Sequence, residues 1–229
     1  MRSNQALALS CVVLLSGCTS SGSGGGAGGG AGATSGGASS GGASSGGTSS
    51  GGTAGIGGAG GSAGASGGSA GPQVEIDTSM GKMVIELDPV NMPATTANFL
   101  SYVDAGYYTG TIFHRVIPDF VIQGGGFTTG LTPTTPNAPI ALETSPQIQH
   151  DYGVISMART SAPNSATSQF FLVNAKAGSH SLDGQYAAFG RMLEGQTVLD
   201  AISGVATQTQ GTFDDVPVTE VVVNSMKRK

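Results

Sequence analysis

The sequence predicts a mainly β domain, closed into an antiparallel barrel, on three observations. Short alternating or continuous apolar runs recur from residue 72 onward, glycines punctuate them, and only two stretches carry helical spacing. Such a pattern suits a sheet whose edges are removed by closing on itself.

Averages over the 229 residues conceal this, because the chain joins two different polymers. Residues 19–71 are nearly all Gly, Ser, Ala and Thr, carry no charge, and hold one sizeable apolar side chain, Ile56. Such a stretch buries too little apolar surface to offset its chain entropy and is expected to be a disordered linker. Residues 72–229 suffice for one domain with a substantial core. They hold all 14 acidic residues and all the basic ones except Arg2, which makes the domain acidic. Without a basic stripe it is not built for nucleic acid.

Taken in order, Val74-Glu75-Ile76-Asp77 and Met83-Val84-Ile85-Glu86-Leu87 flank Ser79-Met80-Gly81 and read as a first hairpin. Pro93 opens a helix over 94–105, with Ala97, Leu100 and Val103 near helical spacing, Phe99 beside them and Gly106 as its stop. The stretch 130–146, rich in Thr and Pro, reads as mostly irregular loop. Strands are expected at 153–157, 169–173, 187–191 and 218–223, and a short helix at 197–202 ended by Gly204.

The informative block lies between the first helix and that loop. Phe113-His114-Arg115-Val116-Ile117 and Phe120-Val121-Ile122-Gln123 are apolar runs joined by Pro118-Asp119, a hairpin signal. Strict alternation puts Phe113, Arg115 and Ile117 on one face and His114 and Val116 on the other, while Val121 and Gln123 share a side. Pairing around the turn brings Arg115 near Gln123, a cation and an amide beside an apolar patch. The three glycines 124–126 read as a sharp departure of the backbone after Gln123.

This block resembles the signature of the cyclophilin-type peptidyl-prolyl isomerases. A second block, Ile155-Ser156-Met157-Ala158-Arg159 through Ser168-Gln169-Phe170-Phe171, is similar to that family's other signature, and further matches extend the resemblance over roughly 72–225. The resemblance implies an eight-stranded barrel capped by two helices. It also implies catalytic roles for Arg115 and Gln123, with Phe120, Val121, Phe171 and Leu182 lining a proline pocket and Ala158, Arg159, Gln169 and Tyr186 beside the peptide.

The chemistry such a site must perform is rotation about an X-Pro bond, which makes and breaks no covalent bond and needs no cofactor or metal. The barrier of roughly 18–20 kcal/mol comes from C–N resonance. Turnover near 10³ per second corresponds to about 13 kcal/mol, so the site supplies about 5–6 kcal/mol of selective stabilisation. As the bond twists, the proline nitrogen gains a lone pair, and a fixed cationic donor binds that state better than either planar isomer. Arginine suits the task because it stays charged and its planar fork spans two acceptors.

Three departures from the family pattern bear on the pocket. Val121 stands where many relatives have Met, Tyr186 where many have His, and Ser181 precedes Leu182 where eukaryotic relatives carry Trp. The last departure, in a longer loop 177–182, is expected to weaken cyclosporin binding. His114, His150 and His180 stand far apart without ligand spacing, so no metal site is expected; His114, alternating away from Arg115, reads as a packing residue. Phe113 and Phe170 read as core. Gly37-Ala38-Ser39-Ser40-Gly41 has the Gly-x-Ser-x-Gly form but neither strand nor helix around it, so no hydrolase is read there.

The first 18 residues carry Arg2, an apolar run and then Leu15-Ser16-Gly17-Cys18. A basic start with about ten apolar residues marks an export signal. The final tetrapeptide is similar to the bacterial lipobox, so Cys18 is expected to be lipidated. That would leave no thiol in the mature domain, since Cys11 departs with the signal. Thr19, where an inner-membrane retention signal would have Asp, favours the outer membrane. The expectation is a monomeric, lipid-anchored envelope isomerase that acts on proline-containing polypeptides. Its rival is a module that binds proline segments, or acts as a chaperone, with little turnover.

Overall fold

The computed structural model describes residues 71–229. The expected export segment, Cys18 and the linker up to residue 70 lie outside the described residues.

β1 (Gln73–Thr78) and β2 (Gly81–Leu87) form the expected hairpin. The hydroxyl of Thr78 accepts from the Met80 N–H at 3.1 Å and donates to the Gly81 carbonyl at 2.7 Å, which closes the turn. The other barrel strands are β3 (Thr111–Ile117), β4 (Val121–Thr128), β6 (Val154–Met157), β7 (Phe170–Val173), β8 (Ala187–Glu194) and β11 (Val221–Arg228). Their order, β3-β11-β1-β2-β8-β6-β7-β4, closes through β4 back onto β3, giving eight antiparallel strands in a ring. The two-residue β5 (Thr132–Pro133) adds to β4, and β9 (Thr207–Gln210) pairs with β10 (Phe213–Pro217) as a separate ribbon.

α1 (Pro93–Asp104) packs on β8 and β11, and α2 (Gln196–Ser203) on β2, β3 and β4. The buried stripe of α1 runs Thr96, Phe99, Leu100 and Val103. Ala97, expected in that stripe, is exposed; the i, i+3, i+4, i+7 face starts one residue earlier. No side chain caps α1 from its own N-terminus. The carboxylate of Glu143, from the irregular loop, accepts from the Ala94 and Thr95 N–H groups at 3.1 and 2.7 Å and so satisfies two orphan donors.

The barrel is filled by Phe99, Tyr108, Phe113, Phe170 and Phe189 with aliphatic neighbours. Phe170 meets Phe99, Tyr108 and Phe113 edge-on, with ring centroids 5.4–5.9 Å apart. Tyr108 is wholly buried, and burial pushes its phenol pKa well above the ordinary value. Its hydroxyl donates to the Ser168 carbonyl at 2.8 Å.

Three expectations fail and one element is unforeseen, each for a local reason. The last strand begins at 221 and runs to 228, because Val218 is an exposed connector from β10 and the charged end of the strand carries no apolar signal. The β9–β10 ribbon was not expected, since Thr207-Gln208-Thr209-Gln210 has no apolar face. Glycines 124–126 do not turn the chain but lie within β4. Finally, the pairing shifts between Phe113↔Gly124 and Arg115↔Gln123, a bulge at His114 that breaks strict alternation. Phe113 and Val116 therefore both join the barrel interior, and Arg115 is separated from Phe113.

Candidate active site

Strand pairing builds the site. Arg115 on β3 lies opposite Gln123 on β4, and Gln123 lies opposite Phe171 on β7. The Gln123 side chain is buried, and its amide Nε2 donates to Gln169 Oε1 at 2.9 Å. Gln169 precedes β7, and its carbonyl accepts from the Ala158 N–H at 2.9 Å.

Gly126 explains how two buried amides fit side by side. A Cβ at that position would stand 2.5 Å from Cδ and Nε2 of Gln169 and 2.6 Å from its Cγ. The strand leaves out one side chain so that another can lie across it.

Beyond this amide pair, Val121, Ala158, Phe171 and Leu182 form one buried apolar cluster with Val154, Val173, Ala175 and Ala188. It is separate from the barrel interior, and half-buried Phe120 and Tyr186 pack against it. The Tyr186 ring meets Phe171 edge-on at 5.7 Å and 81°. The Arg159 guanidinium stands 4.7 Å from the centre of that ring and donates through Nε to the Gln185 carbonyl at 2.9 Å. Nine of the ten candidate site residues of the domain are thus linked through the amide pair, the apolar cluster and the side chains that pack on it, and strand pairing sets the tenth, Arg115, opposite Gln123.

Several residues that support this surface carry no local sequence signal. Asn174 is buried; its Oδ1 accepts from the Phe120 N–H, and its Nδ2 donates to the Ile117 carbonyl at 3.0 Å. It therefore ties down the turn that presents Phe120, where Asp119 has φ 54°. His150 is buried and stacks beneath Phe171, with ring centres 5.9 Å apart and planes at 17°. Its Nδ1 donates to Asp183 at 2.8 Å, and its Nε2, 3.0 Å from the Ser156 hydroxyl, accepts from it. Burial lowers the His150 pKa against the opposing pull of Asp183, which keeps the ring neutral.

Two of the three histidines, expected to stand far apart, converge on one carboxylate: His180 also reaches Asp183, through Nδ1 at 3.1 Å. Among the described residues no group of three His, Cys, Asp or Glu side chains is arranged to hold a metal. His114 is buried against the Phe127 ring at 4.7 Å. Burial and then the Arg115 charge push its pKa down to about 3, so it is neutral packing material and no acid–base group.

Arg115 has an acidic neighbour that sequence reading missed. Its Nε lies 3.4 Å from Asp215 Oδ2 on the β9–β10 ribbon, with 21% of the arginine side chain and 38% of the aspartate exposed.

Comparison with known proteins agrees with this architecture. The sequence model of the family described as cyclophilin type peptidyl-prolyl cis-trans isomerase/CLD matches residues 73–228. The chain is 48% identical over 161 residues to peptidyl-prolyl cis-trans isomerase cyp18 of Streptomyces antibioticus, covering 67% of this chain and 96% of that protein. It is 43% identical over 163 residues to a peptidyl-prolyl cis-trans isomerase of Acinetobacter baylyi, covering 70% and 87% respectively. A crystal structure of a Cryptosporidium parvum cyclophilin type isomerase in the presence of the dipeptide Ala-Pro superposes with a TM-score of 0.59 at 28% identity, over 69% of this chain and 98% of that one. The closed eight-stranded barrel, the two helices and the matched length of the domain together mean that the chain belongs to the cyclophilin-type peptidyl-prolyl cis-trans isomerases.

Proposed function

We propose that this isomerase turns X-Pro bonds of exported or envelope proteins by stabilising the twisted imide with the Arg115 guanidinium. The observation that carries the reading is the adjacency of Arg115 and Gln123 to an apolar cluster outside the barrel core, made of Val121, Ala158, Phe171 and Leu182. A proline ring seated against Phe120 and Phe171 leaves the preceding carbonyl to rotate past the cation. Gln123, braced by Gln169, holds the substrate carbonyl or the guanidinium in register. Tyr186 and Arg159 line the approach of the peptide backbone.

Binding alone needs the patch; only turnover needs the aimed charge, because only the twisted state offers it a lone pair. An isomerisation assay on an X-Pro peptide tests this. Arg115→Ala is expected to lose a hundredfold or more in kcat/KM, about 2.7 kcal/mol at 1.36 kcal/mol per tenfold. A loss below threefold would remove Arg115 from the mechanism and favour the proline-binding module.

The envelope setting rests on the basic, apolar and Leu-Ser-Gly-Cys start of the chain, and on the 53 residues of uncharged linker at 19–71. Cys18→Ala should move the protein from the membrane to the soluble fraction; unchanged membrane association would refute the anchor.

A further inference from the structure

We infer that Asp215 is a positioning residue for Arg115, an acid that holds the guanidinium in its working orientation and so sets the rate of isomerisation. This rests on the reading of Arg115 as the residue that meets the twisted imide.

Asp215 sits in an unusual piece of backbone. The pairing of β10 with β9 shifts between Phe213 and Val216, so Asp214 and Asp215 form a bulge. Asp215 itself has φ 60°, a left-handed conformation that a residue with a Cβ adopts at a cost. Bulges re-aim side chains, and strain kept at a defined position needs a surrounding structure that enforces it.

That structure is on view. Val216 is buried on one side of the bulge. On the other, Phe213 meets Phe127 of β4 edge-on at 5.2 Å, and Phe127 in turn packs on the His114 ring. The turn of the ribbon is formed at Gly211, with φ 64°, and Thr209 donates to Asp214 at 2.8 Å across it. The ribbon is thus pinned to β3 and β4, and the one acid it turns toward β3 meets Arg115 at Nε.

The Asp215 carboxylate, 3.4 Å from Nε, places its charge at the root of the guanidinium and favours the orientations of the fork that keep this contact. An arginine on a long stem otherwise spends its rotamer freedom at the moment of reaction, when the donor must already point at the developing lone pair. Removing the acid leaves the cation and the pocket in place and takes away one of the contacts that orient the guanidinium. The expected signature is therefore in kcat more than in KM.

The test is Asp215→Asn in the full chain. Asn tolerates left-handed backbone, so the bulge survives while the charge is lost. The expected result is about a fivefold fall in kcat/KM, near 1 kcal/mol at 1.36 kcal/mol per tenfold, carried by kcat with KM within twofold. In an Arg115→Ala background the same change should have no further effect. A second readout is the NMR signal of the Arg115 Nε–H, expected to shift and to lose order in the variant. An unchanged kcat in Asp215→Asn, an equal loss in both backgrounds, or an unmoved Nε–H signal would overturn the inference. If Arg115→Ala remains active, the catalytic reading itself falls and the inference with it; if only Asp215→Asn is silent, the catalytic reading stands alone.

Discussion

Gly126→Ala separates the architecture of the site from that of the barrel. The backbone at Gly126 is not in the left-handed region, so alanine costs nothing there by conformation. Its methyl would lie 2.5 Å from the end of the Gln169 side chain, where ordinary contact is 3.4–4 Å. Gln169 must therefore retreat by about 1 Å, and the 2.9 Å bond from Gln123 opens beyond hydrogen-bonding reach. Gln123 is 2% exposed, so its amide is left without a water to replace the lost acceptor. A buried polar group stranded this way costs about 1–3 kcal/mol. For a domain of this size, about 2 kcal/mol corresponds to roughly 4–8 °C in Tm. Activity should fall about tenfold, because Gln123 no longer has a brace. Thermal unfolding and the peptide isomerisation assay measure both. The control is Gly126→Ala combined with Gln169→Ala, where the methyl has nothing to strike: the double variant should be no worse than Gln169→Ala alone. Losses that simply add, or a single variant with unchanged Tm and rate, would refute the argument.

Further outcomes follow from the other groups. His114, with its pKa pushed from the ordinary 6.5 to about 3, binds its proton more readily when unfolded. Stability from this group is full above about pH 6.5 and is lost as pH falls toward 3. Denaturant titrations at pH 6 and pH 4 should show the wild type losing about 2 kcal/mol more than His114→Phe; parallel losses would count against it. Glu143→Ala strips the acceptor from the start of α1 and should cost about 1–2 kcal/mol in urea unfolding, with kcat/KM little changed. Ser181 in place of the eukaryotic Trp should leave cyclosporin binding weaker than nanomolar, and tight inhibition in a titration would contradict this.

The parts of this molecule that could be read from its residues are those with a local physical cause. The β1–β2 hairpin, α1 and the Arg115–Gln123 pairing follow from alternation, helical spacing and a proline turn within a few residues. The β9–β10 ribbon was illegible because Thr and Gln on both faces leave no period to detect. The bulge at His114 was illegible because alternation assumes regular pairing, and only the partner strand determines where it slips. Asn174, 54 residues from Phe120, and Glu143, 48 from Thr95, act across distances where local patterns say nothing. Gly126 was visible as a glycine but not as the seat of Gln169, because the reason for its missing Cβ lies in another strand.

The last strand of the domain, β11, lies between β1 and β3, which come from opposite sides of α1. Until residues 221–228 are available, those two strands face each other across a gap, each with an unmatched row of peptide groups. The strand that carries Arg115 is then paired on one side only, with β4. Residues 221–228 are thus the piece that turns an open run of strands into a ring, joining the part of the chain before α1 to the part after it.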